Sequence, residues 1–203
     1  SAQGKTDGTA NTIVTMLGGA TYYTFVSSGA FSVNFASFTY LDEDGIQLSG
    51  TGPFSINRST FDYVGSGVKS TSTLLTLNGV TQSTITLIGV TYGNTLANTT
   101  NYNYTIVGSS TGLSWTNYSY AGALVGDAKE RTDTSNKITW SGVYCSTITS
   151  VASSSWSSVG TWDAGLVPTS CNPVVIATGT TVTVDIAGAT ASTTTVNGTL
   201  SFS

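Results

Sequence analysis

An eight-residue pattern occurs four times in this chain: VNFASFTY (Val33–Tyr40), INRSTFDY (Ile56–Tyr63), ITLIGVTY (Ile85–Tyr92) and LSWTNYSY (Leu113–Tyr120). Each copy opens on an aliphatic residue, carries a bulky apolar or aromatic residue at the sixth place and ends on Tyr. The steps between successive starts are unequal (56−33, 85−56, 113−85) but similar in size. Self-similarity at such a period marks a fold made by stacking one supersecondary unit on itself.

Each unit holds short apolar runs and Gly-rich turns, which suits one coil of a parallel β-helix, a solenoid whose strands pair with those of neighbouring coils about 4.8 Å away. Unequal spacings then place insertions at the turns. Composition points the same way. Charged residues make up 8% of the chain, against about 25% in typical soluble proteins. Ser and Thr supply 67 of the 203 residues, while Glu occurs twice and Met once. Thr, Val, Ile and Tyr favour pleated, half-buried surfaces, so the expected class is all-β. The alternative is an antiparallel β-sandwich, which also uses short, regularly spaced strands but has no need of a recurring pattern.

The pattern predicts inner columns. The first place (Val33, Ile56, Ile85, Leu113), the fourth (Ala36, Ser59, Ile88, Thr116) and the sixth (Phe38, Phe61, Val90, Tyr118) are expected inside. The third (Phe35, Arg58, Leu87, Trp115) is expected outside, because it carries an arginine in one copy. Asn11–Ala30 reads as a less regular preceding coil, and Ile138–Trp140 as the last strand of the block. This divides the chain into coils over 1–140 and a junction plus a second, incomplete β-rich block over 141–203, where VVIA, TTVTVD and TTTVNGTLSF alternate around Gly179 and Gly198. The chain stops in LSFS, mid-strand, and is read as part of a longer polypeptide.

Several function classes are disfavoured at once. The chain has no His, so the usual general base and the commonest zinc ligand are missing. The net charge is −4 and the six basic residues are scattered, which gives no stripe for neutralising phosphates; nucleic acid is not an expected partner. No apolar run approaches the ~18 residues that span a bilayer. Cys145 and Cys171 admit three readings: a disulfide, buried thiols or a metal pair. An uncharged, Ser/Thr-rich β chain fits an oxidising compartment, which favours the disulfide.

Two clusters carry candidate chemistry. Asp42, Glu43 and Asp44 before Gly45 offer hard oxygen ligands for calcium, the one cofactor considered; the competing reading is a solvated turn. Tyr40, Tyr63, Tyr92 and Tyr120 form either an exposed ladder that stacks on glycan rings or a core column, and core is favoured. For glycosidase chemistry, which needs two facing carboxylates, Asp62 is expected beside Thr39 and Thr91, one carboxylate among hydroxyls; Arg58 and Lys69 fall in the same coil. Trp156 and Trp162 are read as plugs at the junction. The sequons at Asn57, Asn98, Asn103, Asn117 and Asn197 are expected by chance in so Ser/Thr-rich a chain.

The stretch WSSVGTWDAGLVP followed by VVIATGTTVTVD resembles a Trp/Pro-led segment of large secreted surface proteins of the Bacteroidota, and the upstream repeats resemble the right-handed parallel β-helix of pectate-lyase-like and adhesin stalk proteins. The resemblance implies a right-handed coil, export by a type IX secretion route, an extracellular or cell-surface location, and partners among the secretion machinery, surface components or glycans. The expected function is an adhesin stalk or structural module, not an enzyme. The alternative is a carbohydrate-binding or polysaccharide-cleaving β-helix.

Overall fold

The computed structural model describes residues 2–3, 12–15, 22–62, 70–95, 100–108, 112–134 and 136–203. They form two compact units, one ending at Gly142 and the other running Val143–Ser203. Among the described residues there is no α-helix, and the strands of every sheet pair in parallel. The antiparallel sandwich is thereby set aside, and the fold is all-β and β-helix-like.

In the first unit each of the first four passes of the chain lays one strand in each of three sheets, and the last two add strands to the first sheet alone. The first sheet stacks Ala2–Gln3, Phe31–Asn34, Phe54–Asn57, Thr84–Ile88, Ser114–Tyr118 and Ile138–Ser141, in sequence order. The second stacks Thr12–Val14, Ala36–Thr39, Thr60–Asp62 and Thr91–Tyr92; the third stacks Tyr22–Val26, Leu41–Gly50, Thr71–Val80 and Thr100–Val107. The expected early coil is present in the strands at 12–14 and 22–26, and Ile138–Ser141 closes the series.

The register differs from the one that the repeat suggests. Val33 faces Ile56 across the first sheet, first place against first place, as expected. Asn57 then faces Ile88, an interval of 31 (88−57), and Thr84 faces Ser114, an interval of 30 (114−84). The third and fourth copies have thus each slipped by two positions relative to the pattern. ITL in the third copy places two apolar residues, Ile85 and Leu87, on one face, so either satisfies the pattern. The slip corrects the third place. Leu87 follows Ile56 and Trp115 faces Ile85, and both Leu87 and Trp115 are fully buried.

Phe35 and Arg58 depart from the expected exterior for another reason. They sit at the corner between the first and second sheets with φ of 52° and 48°, and the register aligns them with Gly89 (67°) and Ser119 (51°). A stacked corner needs the left-handed conformation at the same place in every pass, and three of the four residues adopt it despite a Cβ penalty of about 1 kcal/mol or more. Phe35 is buried there, with the Arg58 guanidinium 4.9 Å from its ring centroid. Val33, Ile56, Ile85, Leu113, Ala36, Ser59, Ile88, Phe38, Phe61 and Val90 are buried as expected, whereas Thr116 and Tyr118 are half-buried.

The second unit repeats the scheme on two sheets, with a long first pass and a shorter second one. Ile148–Thr149, Pro173–Ile176 and Thr193–Val196 form one parallel sheet, and Ser154–Ser155, Thr181–Val184 and Thr199–Phe202 another. Val182 faces Leu200, an interval of 18 (200−182). Trp156 and Trp162 belong to this unit's core, edge to face at 5.0 Å between centroids.

Phe38 and Phe61 stack at 5.3 Å with their planes 12° apart, in the middle of the first unit's aromatic column. Phe61→Ala is expected to cost about 3–5 kcal/mol by leaving a cavity that neighbouring passes cannot close. Urea unfolding measures it, and a loss below about 1 kcal/mol would contradict the column.

Candidate functional site

Of the four tyrosines, the three that are described, Tyr40, Tyr92 and Tyr120, occupy different kinds of place and do not form a ladder. The slipped register brings Tyr92 against Phe61, so it continues the column Phe38–Phe61–Tyr92 and is completely buried. Tyr40 is half-buried at a corner with φ of 62°, and Tyr120 is half-buried with its ring edge-on to Trp140 at 4.9 Å. Tyr63 lies outside the described residues.

A buried phenol needs a partner for its hydroxyl, and the structure supplies a network that the sequence did not reveal. The Tyr92 hydroxyl donates to Oδ1 of Asn117 and lies 2.6 Å from the Tyr104 hydroxyl; all three side chains are fully buried. Asn117 Nδ2 donates to the Thr139 carbonyl at 3.5 Å. The Trp140 ring stands edge-on to Tyr92 at 5.1 Å, and its Nε1–H donates to Glu130 at 2.5 Å. Burial holds the Tyr92 and Tyr104 phenols well above their ordinary range. Partial burial pushes the Glu130 carboxyl up to about 7, and the nearby Asp133 and Asp127 add to this against the Trp140 hydrogen bond. Two of the chance sequons, Asn103 and Asn117, are likewise buried and engaged.

The acidic triplet forms a bulge. Tyr22 faces Leu41 and Thr24 faces Ile46, so Asp42–Gly45 oppose a single residue. Asp42 Oδ1 accepts hydrogen bonds from the N–H groups of Asp44 and Gly45, at 3.0 and 3.1 Å, and so folds the turn. Gly45 has φ of 62°, and a Cβ there would collide with the Thr73 and Leu74 carbonyl oxygens, so the bulge presses onto the next pass only because this residue has no side chain. Glu43, which is buried, and Asp44 are thereby brought to the outer face of the third sheet.

There they line a groove of about 570 Å³ with Thr73, Thr76, Thr105 and Arg131. The ladder explains the alignment: Thr76 faces Thr105, and Thr105 in turn bridges to Arg131. Thr76 donates to the Asp44 carbonyl at 2.8 Å, and Arg131 Nη1 donates to the Thr71 hydroxyl at 3.1 Å. Sequence reasoning missed Arg131 and the threonines, because they meet only through a register spanning three passes.

Asp62 faces Thr39 as expected, but Gly93 takes the place expected for Thr91, and the carboxylate accepts from the Thr95 N–H and hydroxyl at 2.9 and 2.7 Å. It holds a loop and faces no second carboxylate among those contacts. Arg58 is at the corner described above, and Lys69 lies outside the described residues.

Cys145 and Cys171 are joined in a disulfide with Cα atoms 5.2 Å apart. Both lie in the second unit, so the bond staples that unit internally. Beside it, buried Asn172 donates through Nδ2 to the carbonyls of Tyr144 and Ser146, at 2.6 and 3.0 Å, clamping the chain on both sides of Cys145.

The chain matches no protein-family model, no curated protein and no solved structure. Among the described residues, no helix is long and apolar enough to cross a membrane.

Two titrations test the network. Neutral phenols are the favoured form of Tyr92 and Tyr104, so their contribution to stability is complete below pH 10 and lost above it. Phenolate absorbance of these two residues is expected to rise only together with loss of the β-sheet circular dichroism signal; Tyr92→Phe and Tyr104→Phe assign the amplitude. For Glu130 the neutral carboxyl is favoured in the folded state, so stability is greatest below pH 4.5 and falls as pH rises through about 7. For a half-exposed group this amounts to about 1 kcal/mol. Glu130→Gln is expected to remove that slope in denaturant unfolding followed across the same range, and an unchanged slope would refute the assignment.

Proposed function

We propose that this chain is a structural module of a secreted bacterial surface protein, an adhesin stalk or spacer exported by a type IX route. The carrying observation is the in-register stacking of successive passes in the first unit, with continuous buried columns and few charges. A body of this kind transmits load along backbone ladders, whose hydrogen bonds are shared among many strands. Its low charge makes it insensitive to salt. The disulfide supports an oxidising location. The Trp156–Pro168 segment resembles those of exported Bacteroidota surface proteins, which supports the route.

The test is made on intact cells of the bacterium that encodes the chain. An epitope in the exposed Ile186–Thr190 turn should be labelled by antibody without permeabilisation. Replacing the segment with an unrelated rigid β-rich spacer of equal length should preserve surface display and adhesion of the parent protein. Labelling only after lysis would sink the surface reading; loss of adhesion with display retained would sink the spacer reading.

A further inference from the structure

We propose that the groove on the outer face of the third sheet binds a neutral oligosaccharide, a role separate from the spacer reading. The pointer is Thr105. Its residue is 8% exposed, it lines the groove, and its hydroxyl has no hydrogen-bond partner among the described residues. Its threonine neighbours are served from within: Thr73 donates to the Leu75 carbonyl at 3.3 Å, Thr76 to the Asp44 carbonyl at 2.8 Å and Thr132 to the Ile106 carbonyl at 2.5 Å. That hydroxyl is shut off from solvent, so a group seated in the groove reaches it only once the side chain turns about χ1, and the cost of a buried, unpaired hydroxyl favours that turn.

The groove's chemistry selects the ligand. Glu43 and Asp44 bring carboxylates, Arg131 a guanidinium, and Thr105 a hydroxyl that both donates and accepts. Of the Arg131 donors, one is engaged on Thr71, and the guanidinium carbon lies 5.8 Å from the Tyr102 ring centroid, which steadies the fork over that side of the groove. A phosphate or uronate would pair with Arg131 but meet two carboxylates. A divalent cation would suit the carboxylates but meet Arg131. A neutral sugar presents hydroxyls that donate to one side and accept from the other with no net charge to compensate. Val107, exposed on the same wall, gives its C–H faces an apolar contact. A volume of about 570 Å³ falls within the roughly 300–1,000 Å³ of small-ligand sites.

The test uses the full chain, isotopically labelled, with amide shifts followed on addition of cellobiose, maltose and lactose at millimolar concentration, and of inorganic phosphate and calcium chloride in separate arms. At least one disaccharide is expected to shift amides of Thr76, Thr105 and Arg131 saturably. Thr105→Val should leave the melting temperature unchanged or higher, because it removes an unpaired hydroxyl, while weakening that disaccharide about tenfold. Arg131→Gln should weaken it comparably. Absence of shifts with every disaccharide would overturn the proposal, as would stronger shifts of the same amides with phosphate or calcium. A Thr105→Val chain that binds as tightly as the parent would overturn it too.

Discussion

A parallel strand cannot satisfy its own N–H and C=O groups or close a tight hairpin with its neighbour; its partners are the equivalent strands one pass before and one pass after. In the first unit that rule is obeyed by three sheets at once, so any slip in one must be matched in the other two or absorbed in a turn. The short pass from Val33 to Ile56 and the longer one from Asn57 to Ile88 coexist because the extra residues leave the ladders untouched. The corner is less forgiving. Phe35, Arg58, Gly89 and Ser119 share a left-handed backbone whatever their side chains, because a corner that moved by one position would turn every following strand inside out.

Stacking also dictates what fills the interior. Each inner side chain lies over its counterpart one pass away, so columns are constrained in volume rather than in identity. Val33, Ile56 and Leu87 give way to Asn117 and then Trp140 along one column; Phe38 and Phe61 give way to Tyr92 along another. The polar replacements occur together. Asn117 accepts the Tyr92 hydroxyl, and the Trp140 N–H reaches Glu130 at the periphery. An amide or phenol alone in such a core would cost several times the worth of one hydrogen bond, whereas the completed network leaves few polar atoms without partners.

How far this was legible depends on the feature. The class, the parallel stacking and most inward positions of the first two copies follow from alternation and the period, since Val33, Phe38, Ile56 and Phe61 admit only one facing. The later copies misled because ITLIGVTY places apolar residues at both candidate registers, and Tyr recurs at the eighth place while serving different sites: a corner for Tyr40, a core column for Tyr92. Gly89 held the missing signal. Aligning it with Arg58 and Phe35 as the left-handed corner fixes the register of the third copy, and Tyr92 then falls on Phe61. The groove was beyond reach, because Glu43, Thr76, Thr105 and Arg131 come from four separate stretches of chain and meet only after register and bulge are both known.

The second unit faces the same ladder rule with less to bury. Its fully enclosed apolar residues are few, chiefly Ile148, Trp162, Val174, Ile176 and Val182, where the first unit has whole columns. Small cores of this kind need covalent or polar staples to offset chain entropy. The disulfide joins cysteines at a sequence separation of 26, a loop whose closure stabilises by about 3–4 kcal/mol in the chain-entropy view. Asn172 adds two hydrogen bonds across the same joint, and the Trp162 indole N–H caps the Trp156 carbonyl at 2.9 Å. All three act on the long first pass, between Ile148 and Val174; the next, from Val174 to Thr194, is shorter and has no such staple among these contacts. Reinforcement is thus concentrated where loop entropy is largest, which is where a ladder of strands as short as Ile148–Thr149 and Ser154–Ser155 is least able to hold itself.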